Sequence, residues 1–125
     1  MKNNDVYDNQ GQHGQWNKQA FERMPKMLQY FIDSTQKLIF EKVYRKVKEL
    51  YGESGTSDLC KTSGFRSFKT NSDVGGVSDS LHLFGCAIDF AKKGIFKDNP
   101  IPTCCNLQLI DSGKCWHVQL KRGQD

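Results

Sequence analysis

The chain has 125 residues and a mild positive charge, with 18 lysines and arginines against 14 acidic residues. This length suits one domain with one modest core, and no apolar run approaches the ~18 residues that a membrane span needs. Aromatic residues make up 11% of the chain, which argues against full disorder. The net charge of +4 is compatible with a polyanionic partner, such as a cell-wall polymer or a nucleic acid, but identifies neither.

The first sixteen residues are polar and contain no apolar segment of the kind that forms a secretory signal. We therefore expect a flexible polar arm over residues 1–16, followed by a single domain over residues 17–125. Apolar residues then recur at helical spacing from Phe21 to Phe31. Pro25 interrupts this pattern, which predicts two short helices with Pro25 in a first turn.

A stronger helix is predicted next. Asp33 or Ser34 can cap it, Gly52 can end it, and residues 53–58 are expected to form a loop. The apolar stripe of this helix consists of Ile39, Val43, Val47 and Leu50.

The second half of the chain is rich in loops and short strands. Residues 59–62 and 86–91 read as strands, and residues 63–80 read as a loop long enough to carry a site. Residues 106–111 and 115–121 alternate apolar and polar side chains around residues 112–114, which predicts a β-hairpin. Helices followed by short strands predict an α+β fold, with helices packed on one face of a small antiparallel sheet.

Five cysteines cannot all pair within one chain, and the pattern favours reduced thiols in a cytosolic setting. A zinc–thiolate site is the alternative, but the CxxC pairs typical of such sites are absent from the sequence. Cys115 lies two positions before His117 and would share a strand face with it. It is therefore a candidate pocket thiol or competing metal ligand.

Two histidines and one aspartate in the second half form a candidate metal set: His82, Asp89 and His117. Asp89 stands between Ile88 and Phe90 in a predicted buried strand, and a buried carboxylate needs a partner such as a metal ion. Three protein ligands would leave a fourth zinc position open. Spacing alone favours the alternative, in which both histidines are packing or surface residues.

Resemblance to a known protein family favours the metal site over packing or surface histidines. The segment SGFRSFKTN…VGGVSDSLHLFGCAIDF is very similar to the signature of zinc D-alanyl-D-alanine peptidases, SGYRS…N…VGG…S-x-H-x-x-G-x-A-x-D. The segment QLID…WHVQL resembles the family's strand pair, QLI-x-E…W-x-H-V. The resemblance spans roughly residues 30–120 and is strongest to the small phage and bacterial members. It implies the fold that these enzymes share with phage endolysins and the hedgehog signalling domain.

The resemblance implies one zinc ion per chain, held by His82, Asp89 and His117. It implies that Arg66 holds the substrate carboxylate or polarises the scissile carbonyl, tasks that suit a fixed guanidinium. Ser80 would contact substrate or support His82. The alternatives are a structural loop arginine and a turn-capping serine.

The resemblance makes Asp111 the expected general base. Small family members place a glutamate at the end of the strand before the last histidine, and Asp111 occupies that place, six residues before His117. The alternative is an ordinary turn aspartate. Aspartate is shorter than glutamate, Trp116 adjoins His117 directly, and the connection after Asp89 is short, so the chain departs from the family pattern at three points.

The implied activity is zinc-dependent hydrolysis of amide bonds in peptidoglycan stem or cross-bridge peptides, by a carboxypeptidase or an endolysin-type endopeptidase. We expect a monomer that binds neither nucleic acid nor membrane. It would stay cytoplasmic until release, or be phage-encoded and act at the bacterial cell wall. The alternatives are a hedgehog-like module that binds zinc without hydrolysis and a structural virion protein without metal.

Overall fold

A computed structural model describes residues 11–76, 80–103 and 106–121. Its helices and strands are, in chain order, α1 (Gly11–Glu22), α2 (Lys26–Asp58), β1 (Lys61–Ser63), α3 (Phe68–Asp73), β2 (Ala87–Ala91), β3 (Leu107–Asp111) and β4 (Cys115–Leu120). Short 3-10 helices cover Leu81–Phe84 and Gly94–Lys97. The fold is α+β with an antiparallel sheet, as the sequence predicts.

The first helix begins earlier than the sequence suggests. Residues 11–16 were expected to belong to a flexible arm, but they form the start of α1; residues 1–10 lie outside the described residues. The physical reason is tertiary contact. Asn17 is buried, and its side-chain oxygen accepts a 2.8 Å hydrogen bond from the backbone N–H of Ser67. Trp16 packs under the Lys69 ammonium, 4.4 Å from the ring centroid.

The second helix is longer than predicted at both ends. Pro25 directly precedes α2, so the helix begins well before Asp33, and residues 53–58 are helical rather than a loop. At Gly52 the backbone leaves helical geometry, with φ of 67° in the region that favours glycine, so Gly52 ends the regular helix as predicted and a second helical segment follows across a kink. Leu50, predicted to be part of the buried stripe, is 55% exposed. No helix in the described ranges is long and apolar enough to cross a membrane.

The four strands form one sheet in the order β1-β2-β4-β3, and all neighbours are antiparallel. The predicted hairpin is confirmed as β3 and β4. In the register of the two central strands, Asp89 lies directly opposite His117. Ser63 of β1 lies on the other side of Asp89. The register therefore brings three sequence-distant segments together at the middle of the sheet.

The core lies between α2 and one face of this sheet. Side chains alternate along a strand, so Ile88 and Phe90 point to α2 while Asp89 between them points to the opposite face. The core cluster also includes residues of α2, β3, β4 and the segments that connect the elements: Ile39, Phe40, Val43, Val47, Leu59, Phe96, Ile101, Leu107 and Val118. Because α2 covers only one face, the opposite face is left for polar side chains.

Candidate metal centre

Three side chains converge on the face of the sheet that points away from α2. Asp89 Oδ1 lies 3.2 Å from His82 Nε2 and 3.0 Å from His117 Nδ1, and these two ring nitrogens are 3.2 Å apart. Within the ranges that the structure describes, these residues form the one group of three or more potential metal ligands. The structure thus brings together the three residues that the sequence proposed as zinc ligands.

His82 is held by the segment that follows β1. Its ring Nδ1 lies 2.8 Å from the carbonyl oxygen of Gly64, and its own carbonyl accepts a 3.0 Å bond from the Arg66 N–H. Ser80 caps the short 3-10 helix by accepting a bond from the His82 N–H at 3.2 Å. Burial is the largest influence on the pKa of His82 and lowers it, so the ring is kept neutral. Ser80 therefore supports His82 through the backbone.

Gly85 ends this 3-10 helix in the left-handed region, with φ of 74°. A Cβ at this position would lie 2.8 Å from a side-chain carbon of Ile32, so both conformation and space require glycine. The buried amide of Gln36, on α2, donates to the carbonyl oxygens of Gly85 and Ala87. These two hydrogen bonds hold the turn that separates His82 from Asp89. Nothing in the sequence indicated this role for Gln36.

Asp89 is only 6% exposed. Burial alone would raise the pKa of its carboxyl, but the hydrogen bonds from His117 and His82 outweigh it, and the pKa of Asp89 lies below its ordinary value. The carboxylate is therefore ionised and available as a ligand.

His117 is oriented from the side away from Asp89. Its Nε2 lies 2.7 Å from the side-chain oxygen of Gln119, two residues along the same strand. Burial lowers the pKa of His117, but the bonds to Asp89 and Gln119 outweigh it, so the pKa of His117 is raised overall.

The three side-chain atoms that converge here are suitable ligands for a metal cation. A backbone carbonyl and an amide oxygen can only accept, so His82 carries its proton on Nδ1 and His117 carries one on Nε2. In the neutral rings, the lone pairs on His82 Nε2 and His117 Nδ1 therefore face the acceptor oxygen of Asp89. Three such atoms within 3.2 Å of one another are held together by a shared proton, as in the hydrogen bonds that lower the pKa of Asp89, or by a metal cation. Two imidazoles and one carboxylate are typical zinc ligands that leave a fourth position open.

Arg66 contacts the candidate ligand Asp89 directly. Its Nη2 donates to Asp89 Oδ2 at 3.0 Å, its Nη1 to Asn71 Oδ1 at 3.2 Å, and its Nε to Ser63 Oγ at 3.4 Å. The side chain is 14% exposed, and burial lowers the pKa of Arg66. Arg66 therefore fixes the second carboxylate oxygen of Asp89, a role that the sequence analysis did not foresee.

Gly76, the second glycine of the motif, makes room for this arginine network. A Cβ on Gly76 would collide with the side-chain oxygen of Asn71, the same atom that accepts from Arg66. The backbone N–H of Gly76 also donates to the Asn71 carbonyl at 2.8 Å. The N…VGG part of the motif thus has a physical reason: it places the amide that positions Arg66.

The structure does not bring Asp111 to the cluster. Ile110 is the residue opposite His117, whereas Asp111 lies opposite Trp116 and on the other face. The Asp111 carboxylate accepts a 2.6 Å bond from Lys92, which lowers the pKa of Asp111. Lys92 in turn lies 4.4 Å from the Trp116 ring centroid. A shift of one residue in a strand reverses the face that a side chain occupies, and this explains the difference from the expectation.

Ser112 is the hairpin residue that points toward the site face. Its hydroxyl lies 3.1 Å from the Cys115 thiol, and Cys115 shares the face of His117. In the pattern QLI-x-E the glutamate stands two residues after the isoleucine, which in this chain is position 112. A serine therefore occupies the place where the pattern puts its carboxylate.

The Cys115 thiol borders the cluster without joining it. Burial raises its pKa, and its close neighbours include Asp89 and Arg66. It is a free thiol, as is Cys86, and the pair Cys104–Cys105 lies outside the described residues. Cys115 is therefore a pocket thiol in this structure rather than one of the three converging ligands.

An α+β domain with a His-Asp-His set, in which His82 and Asp89 are buried, carries a candidate metal centre of the kind that metal-dependent hydrolases use. The model of a protein family described as Peptidase M15 matches residues 12–109, and the chain belongs to this family. The match includes His82 and Asp89 and ends before His117. His117 is assigned to the same group because it lies directly opposite Asp89 in the sheet. No curated protein and no solved structure shows significant similarity to the chain. Family membership supports a metallopeptidase, as the resemblance implies.

Proposed function

We propose that this protein is a zinc-dependent peptidase that hydrolyses amide bonds in peptidoglycan stem or cross-bridge peptides. One observation carries the proposal: three acceptor atoms converge within 3.2 Å, and both histidine tautomers are set from the far side of each ring. Membership of the Peptidase M15 family supports peptide hydrolysis at this centre. The peptidoglycan substrate rests on the motif similarity described above.

When bound, zinc polarises the scissile carbonyl and makes a water molecule acidic enough to ionise near neutral pH. The chain's own contribution is rigid positioning. Gly64 orients His82, Gln119 orients His117, and Arg66 holds Asp89. Each nitrogen of the Arg66 guanidinium makes one of its three contacts, which leaves one N–H on each terminal nitrogen for a substrate carbonyl or carboxylate.

A second candidate is a zinc-binding module that does not hydrolyse peptides. The observation that favours it concerns the site face of the described strands, where Asp89 is the one acidic residue. Its neighbours on that face are Ala87, Ala91, Gln108, Ile110, Cys115, His117 and Gln119. Two aspartates that precede His82 in the chain are further candidates for a base: Asp73 is bonded to His13 at 2.6 Å, and Asp79 lies outside the described residues.

Zinc content and hydrolysis, measured on the same preparations, test the proposal. We expect one zinc per chain, and zinc-dependent release of D-alanine or of a new amine from purified peptidoglycan fragments. Released D-alanine indicates a carboxypeptidase, and a new amine within a cross-bridge indicates an endopeptidase. His82→Ala is the matched inactive control. Stoichiometric zinc without hydrolysis on several cross-bridge chemistries favours the binding module, and absence of zinc contradicts both candidates.

The role of position 112 can be tested by adding a carboxylate. Ser112→Glu places one on the site face, whereas Asp111→Glu places the same side chain one residue away on the opposite face. If the missing base limits turnover, Ser112→Glu raises hydrolysis and Asp111→Glu leaves it unchanged. An equal response of the two variants argues that the base comes from elsewhere, and Asp79→Asn is then the next substitution.

A further inference from the structure

The orientation of His117 depends on a neighbouring side chain, whereas that of His82 depends on the backbone. Gln119 is 7% exposed and lies on the same face of β4 as His117. Its side-chain oxygen is 2.7 Å from His117 Nε2. Because this oxygen can only accept, Nε2 must carry a proton, and the lone pair of the neutral ring is then on Nδ1. Nδ1 is the atom that faces Asp89 and His82.

A second glutamine determines which way the Gln119 amide points. Gln108 lies directly opposite Gln119 in the β3–β4 register. The Gln119 NH₂ donates to the side-chain oxygen of Gln108 at 3.3 Å, so its own oxygen is directed toward His117. If the Gln119 amide were reversed alone, its oxygen would face the side-chain oxygen of Gln108. The two amides therefore form a short hydrogen-bonded chain, in which His117 donates to Gln119 and Gln119 donates to Gln108.

We propose that Gln119 is a positioning residue that fixes the Nε2–H tautomer of His117, with Gln108 in support, and thereby presents Nδ1 to the metal. This inference rests on the proposed zinc-dependent function for its purpose, but the tautomer itself is a property of the metal-free chain as well. Residues that orient histidine ligands in this way contribute about 10–100-fold to metal affinity. Gln119 was not among the site residues that the sequence suggested.

Three variants test the proposal. Gln119→Met keeps the side-chain length and removes the acceptor, Gln119→Glu keeps an acceptor oxygen, and Gln108→Met is the matched control on the neighbouring strand. Zinc affinity is measured by competition with a chelator, and the His117 tautomer is read from ¹⁵N–¹H correlation spectra of the ring. We expect Gln119→Met to lose about 10–100-fold in zinc affinity. Gln119→Glu should recover most of that loss, and Gln108→Met should lose less than Gln119→Met.

The spectra separate this inference from the proposed function. With or without zinc, wild-type His117 should keep its Nε2 proton, whereas neutral His117 in metal-free Gln119→Met should carry its proton on Nδ1 and donate it to Asp89. Absence of zinc binding in the wild type contradicts the proposed function and leaves the tautomer measurement decisive. Unchanged zinc affinity and an unchanged Nε2 proton in Gln119→Met overturn the inference. If that variant does not fold, loss of the Nε2 proton in Gln119→Glu overturns it instead.

Discussion

The two faces of the central strands β2 and β4 carry different chemistry, although they share one backbone. On the face toward α2, Ile88, Phe90 and Val118 are fully buried in an apolar core. On the opposite face, Asp89 and His117 are joined by hydrogen bonds and depend on neighbours for their orientation. Packing on the first face tolerates hydrophobic substitutions that preserve volume, whereas the second face depends on particular polar atoms. The two faces should therefore fail in different ways when they are altered.

The same comparison explains the different surroundings of two aspartates. Asp89 is on the polar face, where a guanidinium and two imidazoles surround it. Asp111 lies on the other face, beyond the core, where it is exposed and bonded to Lys92. Both occur in strands next to a histidine-bearing strand. Only the register tells them apart, because it decides which face each side chain occupies.

The largest effect is expected from Asp89→Asn. Replacing the charged ligand with an amide should abolish stoichiometric zinc binding, because hard carboxylate oxygen is exchanged for a weak neutral donor. The amide can still accept from Arg66, so the metal-free fold should remain. Elemental analysis and circular dichroism check both expectations. Full zinc retention would remove Asp89 from the ligand set.

On the face toward α2, Phe90→Ala should destabilise the fold and leave zinc binding unchanged. Deleting a fully buried phenylalanine costs about 3–5 kcal/mol of unfolding free energy. Because Phe90 points away from the histidines, zinc stoichiometry should be unchanged in the folded fraction. Chemical denaturation and elemental analysis below the unfolding transition measure the two quantities. Zinc loss from fully folded Phe90→Ala protein would show that the faces are coupled.

Arg66→Lys should have an intermediate effect, and it should lower both the stability of the fold and the affinity for zinc. Lysine cannot reproduce the three contacts to Asp89, Asn71 and Ser63, and a buried partner left unsatisfied costs about 1–3 kcal/mol. Zinc affinity should fall as well, because Asp89 loses its orientation. Arg45→Lys is the matched control, since Arg45 is exposed and contacts only Glu41 among the ion pairs described. Equal behaviour of the two variants would contradict a positioning role for Arg66.

Zinc affinity should fall as pH is lowered. Protons compete with the metal for Nδ1 of His117, and a raised pKa of His117 means that competition begins above the ordinary histidine value of about 6.5. Displacement of one proton corresponds to roughly tenfold in affinity per pH unit below that pKa. Calorimetric titration at several pH values measures the slope. Constant affinity between pH 8 and pH 5 would argue against His117 as a ligand.

The smallest effect is expected from Asp111→Asn. Its carboxylate faces Lys92 and solvent on the side of the sheet away from His117, so zinc content and turnover should both remain at the wild-type level. Elemental analysis and the peptidoglycan hydrolysis assay measure the two quantities, and the same measurements on Asp89→Asn make the pair a direct comparison of the two faces. A loss of turnover with zinc retained would restore Asp111 as a general base, despite its place in the sheet.

Much of the fold was predictable because local patterns determine it. Alternating side chains and a short glycine-containing turn predicted the hairpin of β3 and β4. The apolar stripe predicted the buried face of α2 for Ile39, Val43 and Val47, although Leu50 lies outside it. The helical state of residues 11–16 was not predictable in this way. It depends on contacts with α3 and the segment before it, which have no signature in the local sequence.

The sequence by itself determined which residues belong to the site, because its resemblance to the signature of zinc D-alanyl-D-alanine peptidases identified His82, Asp89, His117 and Arg66. Tertiary structure alone decided what each side chain does there. Strand pairing placed Asp111 on the wrong face for a base and Ser112 on the right one. The fold also brought Arg66 to Asp89, whereas Gln119 shares the face of His117 because the two lie two residues apart on β4. Spacing along one strand shows which of its residues share a face, but the partners that other segments bring to that face are set only when separate strands come into register.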